Sequence, residues 1–463
     1  MQKPLNLPLI VLLIASTVFM EQLDATILTT ALPSIAHTLH VSIVDTSATL
    51  TAYLIGLTIF IPASGPLADR LGSRTTLCMA LFIFITASVA CASAQSLSFL
   101  VAMRTLQGFG GALMFPVGKL IILRITPKDK LVSTMTWMML PVALGPLLGP
   151  AAGGFITTYY SWRWDFYINI PFCLIIIPMI YKFVPEIRVK NAKSFNIKGF
   201  IITASGLTCI AISIELFSHN QASKLISLAL FATGACCAGL YNCYTHNPFL
   251  DFTLLRLKIF RLAFIGAGAS RIALGAFPFL LPLFLQSIAG LTPARSGIMI
   301  SFAPIGAIAM TPFIPRLLRR FGFRYTLMLN GFSAAILGTL ITFFHRGEAL
   351  WGLMLIIFTA GVCQAVLFSA YNSIAYSDVP PQRISSATSF YSTMEQILVA
   401  FGISIAAGTL TFSSQFHHNT VPAAADFAAS FVIVGIVSSV AALAAFRLPH
   451  NTGLLLNKRD ITK

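Results

Sequence analysis

Pro141-Val142-Ala143-Leu144-Gly145-Pro146-Leu147-Leu148-Gly149-Pro150-Ala151-Ala152-Gly153-Gly154 lies inside an apolar run that begins near Val132. In water such a run fails as a helix, because each Gly or Pro costs roughly 1 to 3 kcal/mol of helix propensity. In a bilayer the backbone has no water to turn to, so the helix persists and its neighbours satisfy whatever the prolines free. Gly145, Gly149 and Gly153 recur every four residues and line one face, on which a second helix can approach closely. Pro146 and Pro150 are expected to bend the axis beside that face. Two readings follow from these residues: a tight helix–helix contact, or a pivot about which two bundles rock.

The rest of the chain has the same character. It is 57% hydrophobic and only 10% charged, against about 25% charged in a soluble domain. Apolar stretches of about 20 residues, each long enough to span a bilayer, lie near 8–31, 45–66, 75–93, 98–122, 132–158, 165–184, 198–217, 224–243, 262–288, 294–316, 325–344, 350–376, 385–411 and 424–446. The chain therefore reads as an all-α integral membrane protein with fourteen spans. A cleaved signal peptide is not expected, because Glu21 and Asp24 stand where a small-residue cleavage site belongs and Ala25–Leu32 resumes the helix.

A formal net charge of +16 would suit a nucleic-acid partner, but its distribution excludes one. With the N-terminus inside, the cytoplasmic loops carry Arg70, Arg74, Arg124, Lys182, Arg188, Arg256, Arg316, Arg319, Arg320, Arg324, Arg383 and Arg447, among others. The outer loops carry only Arg163, Lys224, Arg295 and Arg346. The bias places both termini in the cytoplasm. The eight cysteines fall in or at the ends of spans with no CxxC pair, so neither a disulfide framework nor a metal site is expected. His37, His40, His417 and His418 read as loop residues.

Ionisable side chains in hydrocarbon are expensive and face a cavity or a partner. The first span holds Glu21, Gln22 and Asp24, with the two acids three residues apart on one helical face. Two readings follow: a carboxyl group that takes and releases a proton near neutral pH, or a static salt bridge for assembly. Arg104 in the fourth span needs a partner, and Asp24 lies at similar depth; Gln107 follows one turn on. In the second half, Arg271, Gln286, Gln364, Asn372 and Glu395 are the notable intramembrane polar groups and candidate cavity residues. Arg271 and Glu395 either pair or each face substrate. The stretch Thr245–Phe260, with apolar residues interleaved with Arg256 and Lys258, suggests an amphipathic helix on the leaflet surface.

Four motifs resemble those of the major facilitator superfamily. Gly65-Pro66-Leu67-Ala68-Asp69-Arg70-Leu71-Gly72-Ser73-Arg74 is similar to the family's basic loop after the second span. The resemblance implies a cytoplasmic latch in which Gly65 and Gly72 allow close approach and Asp69 binds helix ends and arginines. Arg104-Thr105-Leu106-Gln107-Gly108 resembles the family's Arg-x-x-Gln-Gly motif, implying that Arg104 takes part in proton coupling with Asp24 and Glu21. Gly145-Pro146 with Gly149, Gly153 and Gly154 resembles the motif that marks antiporting exporters. Trp162-Arg163-Trp164-Asp165-Phe166 with Asn169-Ile170-Pro171 resembles the signature of the fourteen-helix drug:proton antiporter branch. Asp165 departs from that signature, which has an apolar residue, and is expected to pair with Arg163 at the interface. A second copy of the loop, Pro315–Arg324, lies 250 residues after the first, with Arg319 where the first has Asp69.

The resemblance covers nearly the whole chain. It implies a six-helix bundle over 1–184, linkers and two inserted helices over 185–261, and a second six-helix bundle with a short tail over 262–463. It further implies proton-coupled, rocker-switch export of small molecules from the bacterial inner membrane, driven by the proton gradient with no cofactor. The partners implied are a small-molecule substrate, protons, the lipid bilayer and an outer-membrane export system. Drugs and an anionic metabolite or polycarboxylate siderophore both remain open as cargo. An enzyme is not expected: no HxxxxD, HExxH or Walker-type motif occurs, and the loops are too short for a catalytic domain.

Overall fold

The computed structural model describes residues 7–127, 131–188, 197–219, 224–244, 251–344, 350–380, 383–418 and 421–449. Within them the chain is helical, with no strand. Ten segments are long and apolar enough to cross a membrane. One of these, Pro293–Phe343, runs for 51 residues, and Lys198–Ile210 and Ile226–Tyr241 are shorter apolar helices. Large apolar side chains such as Phe82, Leu174, Leu329 and Trp351 point outward. Such a surface suits lipid as solvent and would be an aggregation liability in water.

The chain divides into two compact units. The first comprises residues 1–208 with 292–298, the second residues 209–291 with 299–463. The first contains α1 (Leu7–Ile27), α2 (Leu32–Leu39), α3 (Ser47–Phe60), α4 (Ser64–Leu71), α5 (Ser73–Ala92), α6 (Leu97–Ile125), α7 (Leu131–Tyr159), the single turn α8 (Trp164–Tyr167) and α9 (Asn169–Phe183). α10 (Ile197–His219) contains the boundary between units. Most of α13 (Pro293–Ile300) belongs to the first unit; the second holds α11 (Lys224–Tyr244), α12 (Lys258–Ser287), α14 (Phe302–Met310), α15 (Ile314–Leu340), α16 (Leu350–Ala375), α17 (Ile384–Phe416) and α18 (Ala424–Phe446).

In the first unit α1, α5, α6 and α9 enclose a core of Ile14, Val18, Leu77, Phe84, Leu113, Met114, Ile121 and Ile180, with Met138 from α7. α7 continues as a helix through Pro146 and Pro150. Helix boundaries follow local chemistry. Ser96 caps α6 by accepting from Phe99 N at 3.3 Å. Gly72 takes φ +100° between α4 and α5, and Gly322 takes φ +72° inside α15. Only glycine adopts such a φ without a steric penalty. The two basic loops therefore turn in the same way, at matching glycines.

The linker before α12 differs from expectation. No surface helix runs through its described part. Residues Phe252–Arg256 form a short 3-10 turn capped by Asp251, and α12 begins at Lys258. The apolar residues are used on protein instead: Leu254 is buried, and Phe252 and Phe260 pack on Phe390 of α17 at 5.4 and 6.1 Å. Residues 245–250 of that stretch, and Arg346 of the outer charges, lie outside the described residues.

Candidate functional site

Five helices of the first unit converge on one carboxylate. Asp24 on α1 is fully buried, as is Arg104 on α6, and Arg104 Nη1 donates to Asp24 Oδ2 at 2.7 Å. The other oxygen, Oδ1, accepts from Gln107 Nε2 at 2.9 Å and from Asn169 Nδ2 on α9 at 2.7 Å. Gln107 and Arg104 stand one turn apart on α6, and Gln107 Oε1 accepts from Arg104 Nη1 at 2.7 Å. Gln107 and Asn169 both also donate to Ser88 Oγ on α5, at 2.8 and 3.4 Å. α3 closes the other side. Arg104 Nε donates to Thr49 O at 3.3 Å, and the guanidinium lies over the Tyr53 ring at 4.4 Å and near Phe166 at 5.8 Å. A buried ion pair is tolerated where further hydrogen bonds satisfy its remaining groups, and here three donors hold the carboxylate.

Glu21 is buried one turn before Asp24, outside that network. Its Oε1 accepts from Gln22 Nε2 at 3.3 Å, while Oε2 has no partner among the described residues, and neither does the Tyr53 hydroxyl. Both border Gly111, where an added Cβ would lie 2.8 Å from Tyr53 Oη and 3.5 Å from Glu21 Cγ. The two acids thus share a helical face but have different environments.

At the basic loop, Asp69 accepts from Arg124 Nη2 at the end of α6, 2.6 Å away. Gly72 is buried against the carboxylate of Glu186. Glu186 also accepts from Arg74 N at 3.1 Å and Thr75 Oγ1 at 2.5 Å. Arg74 reaches Tyr181 O at 3.2 Å. Arg70 is exposed, and a Cβ on Gly65 would meet nothing within 4 Å, so close approach occurs at Gly72 and not at Gly65.

On α7, Gly145, Gly149 and Gly153 all face α1. Added Cβ atoms would lie 3.0 Å from Leu23 N, 3.2 Å from Ile27 N and 2.9 Å from Ile27 C respectively. Thr26 Oγ1 donates to Gly145 O at 3.3 Å. Gly154 instead meets Pro293 and Ala294, whose N–H donates to Thr158 Oγ1 at 2.9 Å. Pro146 is half-buried. The glycine face is therefore a tight contact with the very helix that carries Glu21 and Asp24.

In the second unit Arg271 and Glu395 pair: Nη2 and Nε both reach Glu395 Oε1, at 2.6 and 2.8 Å. Arg271 lies over the Phe368 ring at 3.9 Å, and neighbouring Ser270 donates to Gln364 Oε1 at 2.9 Å. Their side chains keep 13% and 24% exposure, unlike the sealed pair of the first unit. Asn372 is turned to its own helix, donating to Phe368 O at 3.0 Å. Gln286 lies 15 residues beyond Arg271 on α12, about 22 Å along the axis. Arg271, Gln364 and Glu395 thus gather; Gln286 and Asn372 do not join them.

Asp165 does not pair with Arg163. The arginine donates to Ala94 O at 3.0 Å and stacks on Trp162 at 4.4 Å. The acid is buried, with Thr157 as its one donor among the described residues. Sequence reasoning also missed Ser88, Glu186, Asp378 and Arg383. Asp378 accepts from Ile259 N and Phe260 N at the start of α12, at 2.9 and 3.2 Å. Arg383 pairs with Asp251 at 2.5 Å. The acids were readable as isolated charges beside basic loops; nothing in an apolar span marks one serine over another.

The family model described as Major Facilitator Superfamily matches residues 14–403 and 263–458. The chain belongs to the major facilitator superfamily. Among its relatives, the proteins named multidrug resistance protein MdtD are similar over nearly their full length. That of Serratia proteamaculans (strain 568) is 32% identical over 458 residues, covering 97% of this chain and 95% of the relative. That of Yersinia enterocolitica is 33% identical over 453 residues, covering 95% of each. Solved superfamily members share the fold at low identity. A peptide transporter (POT) has TM-score 0.70 at 15% identity, covering 97% of this chain and 94% of its own. A D-xylose-proton symporter has TM-score 0.68 at 15% identity, covering 96% and 98%. This superfamily chain is a multi-pass membrane transporter and not an enzyme.

Proposed function

We propose that the chain exports small molecules, drugs first among them, in exchange for protons. It does so by rocker-switch alternating access across the bacterial inner membrane, with both termini cytoplasmic. The observation that carries this reading is the sealed Asp24–Arg104 pair with its three donors on one carboxylate. A proton on Asp24 removes the counter-charge of Arg104 and turns an acceptor oxygen into a donor, so the network must rearrange. A proton gradient drives transport when the protonated and deprotonated forms favour different facing states. Glu21, one turn away and only half satisfied, is the second proton-coupling group; Arg104 is the responsive cation. No cofactor enters this scheme.

Fourteen crossings are supported by lengths. α7 has 29 residues, about 44 Å of helix, and the 51-residue segment is interrupted at Gly322. The two shorter apolar helices supply the inserted pair within 185–261, between six-helix bundles over 1–184 and 262–463. The Gly72–Glu186 and Asp69–Arg124 contacts support a cytoplasmic latch. Drug export is favoured by the name of the relatives and by the part-exposed Glu395 beside aromatic Phe368, which suits a lipophilic cation. Arg271 in the same cluster favours the second reading, an anionic metabolite or a polycarboxylate siderophore. An outer-membrane export system would receive the cargo.

Cells expressing the chain, challenged with a panel of lipophilic cations and of citrate-like polyanions, distinguish the two. Export of cations that is abolished by Asp24→Asn and weakened by Glu395→Gln supports drug efflux. Export confined to polyanions and lost in Arg271→Gln replaces it with the second reading.

A further inference from the structure

Asp165 is a buried acid for which the Asp24–Arg104 mechanism has no use. Its side chain is fully buried; Oδ2 accepts from Thr157 Oγ1 at a long 3.3 Å, and Oδ1 has no partner among the described residues. The charged and titratable groups around it each have a partner, although Arg104 Nη2 has none among the described residues. Asp24 of α1 and Arg104 of α6 hold each other, Arg163 of its own turn is bound to Ala94 O, and the Cys91 thiol of α5 donates to Gln107 at 3.9 Å. Among the described side chains, α7 offers the Thr157 hydroxyl.

The second unit shows what a purely structural acid in this position looks like. Asp426 also stands in the first turn of the helix that follows a hairpin. It accepts from Ser413 Oγ at 2.7 Å and Ala423 N at 2.8 Å, and meets His417 Nδ1 at 2.7 Å. Each oxygen of Asp426 is used, and Asp426 staples α17 to α18. Asp165 caps nothing and leaves an oxygen bare. Burying an anion with one weak donor is costly, whereas the neutral acid is tolerated far more readily.

Its position links it to the known pair. Ile168, between α8 and α9, has helical φ −58° and ψ −28°, so the helical path continues from Asp165 to Asn169. Asn169 is four residues on, about 6 Å along the axis, and donates to Asp24. Phe166, the next residue, lies near Arg104. Asp165 is thus one turn from the asparagine that holds the Asp24 carboxylate, toward the chain end that faces outward in the proposed orientation.

We propose that Asp165 is a second proton-carrying carboxyl of this half, loaded from the outer side and one helical turn from Asn169, the donor to Asp24. The step is a plain exchange: the O–H bond of the acid breaks, its electron pair stays on the carboxylate, the proton passes to water, and reloading reverses it. The proposal rests on the proton-coupled reading above, and its test has a readout that does not need transport. Infrared difference spectra of the purified full chain, taken from neutral to alkaline pH in H2O and D2O, report protonated carboxyl groups directly. A carbonyl band that shifts in D2O, disappears on alkalinisation, is lost in Asp165→Asn and persists in Asp24→Asn supports the assignment. Spectra of wild type and Asp165→Asn that superimpose at every pH overturn it, as does a band that ignores pH and D2O. Should Asp165→Asn not fold, Thr157→Val must move the band frequency, and an unmoved band overturns the proposal. In proteoliposomes, Asp165→Asn should also shift the pH profile of efflux of a fluorescent lipophilic cation. An unchanged profile means a static acid. A wild type that moves no protons at all sinks the exporter reading instead, while leaving the infrared result intact.

Discussion

Arg104 illustrates how much one intramembrane charge constrains. Breaking a buried pair by removing one partner typically costs about 3–5 kcal/mol, because the other charge stays buried. Arg104→Ala is therefore expected to lower the melting temperature of the purified protein strongly. Asn169→Ala, which removes one of three donors to Asp24, should cost less, about 1.5–3 kcal/mol. Equal losses in thermal unfolding would contradict a network centred on the ion pair. At this scale the sequence was legible where desolvation leaves no choice: a lone arginine and an acid at matching depth had to meet. It was illegible for Asp165, since a neighbouring arginine is a plausible partner until the backbone turns it toward Ala94 O. Ser88 was invisible, because hydroxyls in spans usually satisfy themselves on their own helix, as Thr86 does here with Phe82 O at 2.9 Å.

Helix-scale packing separates glycines that spacing alone makes equal. Gly153 faces the Ile27 backbone of α1, whereas Gly65 borders open space. Overpacking at a backbone contact costs about 1–3 kcal/mol. Gly153→Ala should therefore lower the melting temperature by several degrees, and Gly65→Ala should leave it unchanged; the reverse order would refute this packing. The every-four-residue period revealed the face but not its partner, because helix spacing carries no information on which neighbour docks. The linker before α12 shows a different limit: alternating apolar and basic residues fit a surface helix, yet a partner phenylalanine on α17 takes the apolar side. That linker also carries a pH dependence. Burial by itself pushes the Asp251 carboxyl up, but hydrogen bonds from Thr253 and Arg383 and the Arg383 charge outweigh it and hold it below the usual range. Because the folded state holds this acid's proton less tightly, the Asp251–Arg383 contact stabilises fully above the ordinary aspartate range and weakens as pH falls through the lowered value. Docking of 251–257, followed by hydrogen exchange, should loosen on strong acidification in wild type and be loose at all pH in Arg383→Ala.

Across the whole molecule, two units of like design differ in how they keep charge. The first seals Asp24 and Arg104 completely, while the second leaves Arg271 and Glu395 partly open beside an aromatic ring. The superfamily fold was legible because membrane spans must be helical and long, and because four short motifs sit at matching places along the chain. The difference in exposure between the two ion pairs was not, since both halves show the same residue types. If Asp24 couples the two fluxes, proteoliposomes loaded with a pH-sensitive dye give the most direct reading. Wild type should move protons against an exported lipophilic cation in a fixed ratio, and Asp24→Asn should let the cation run down its own gradient with proton movement strongly reduced. Undiminished proton movement in Asp24→Asn would contradict the account.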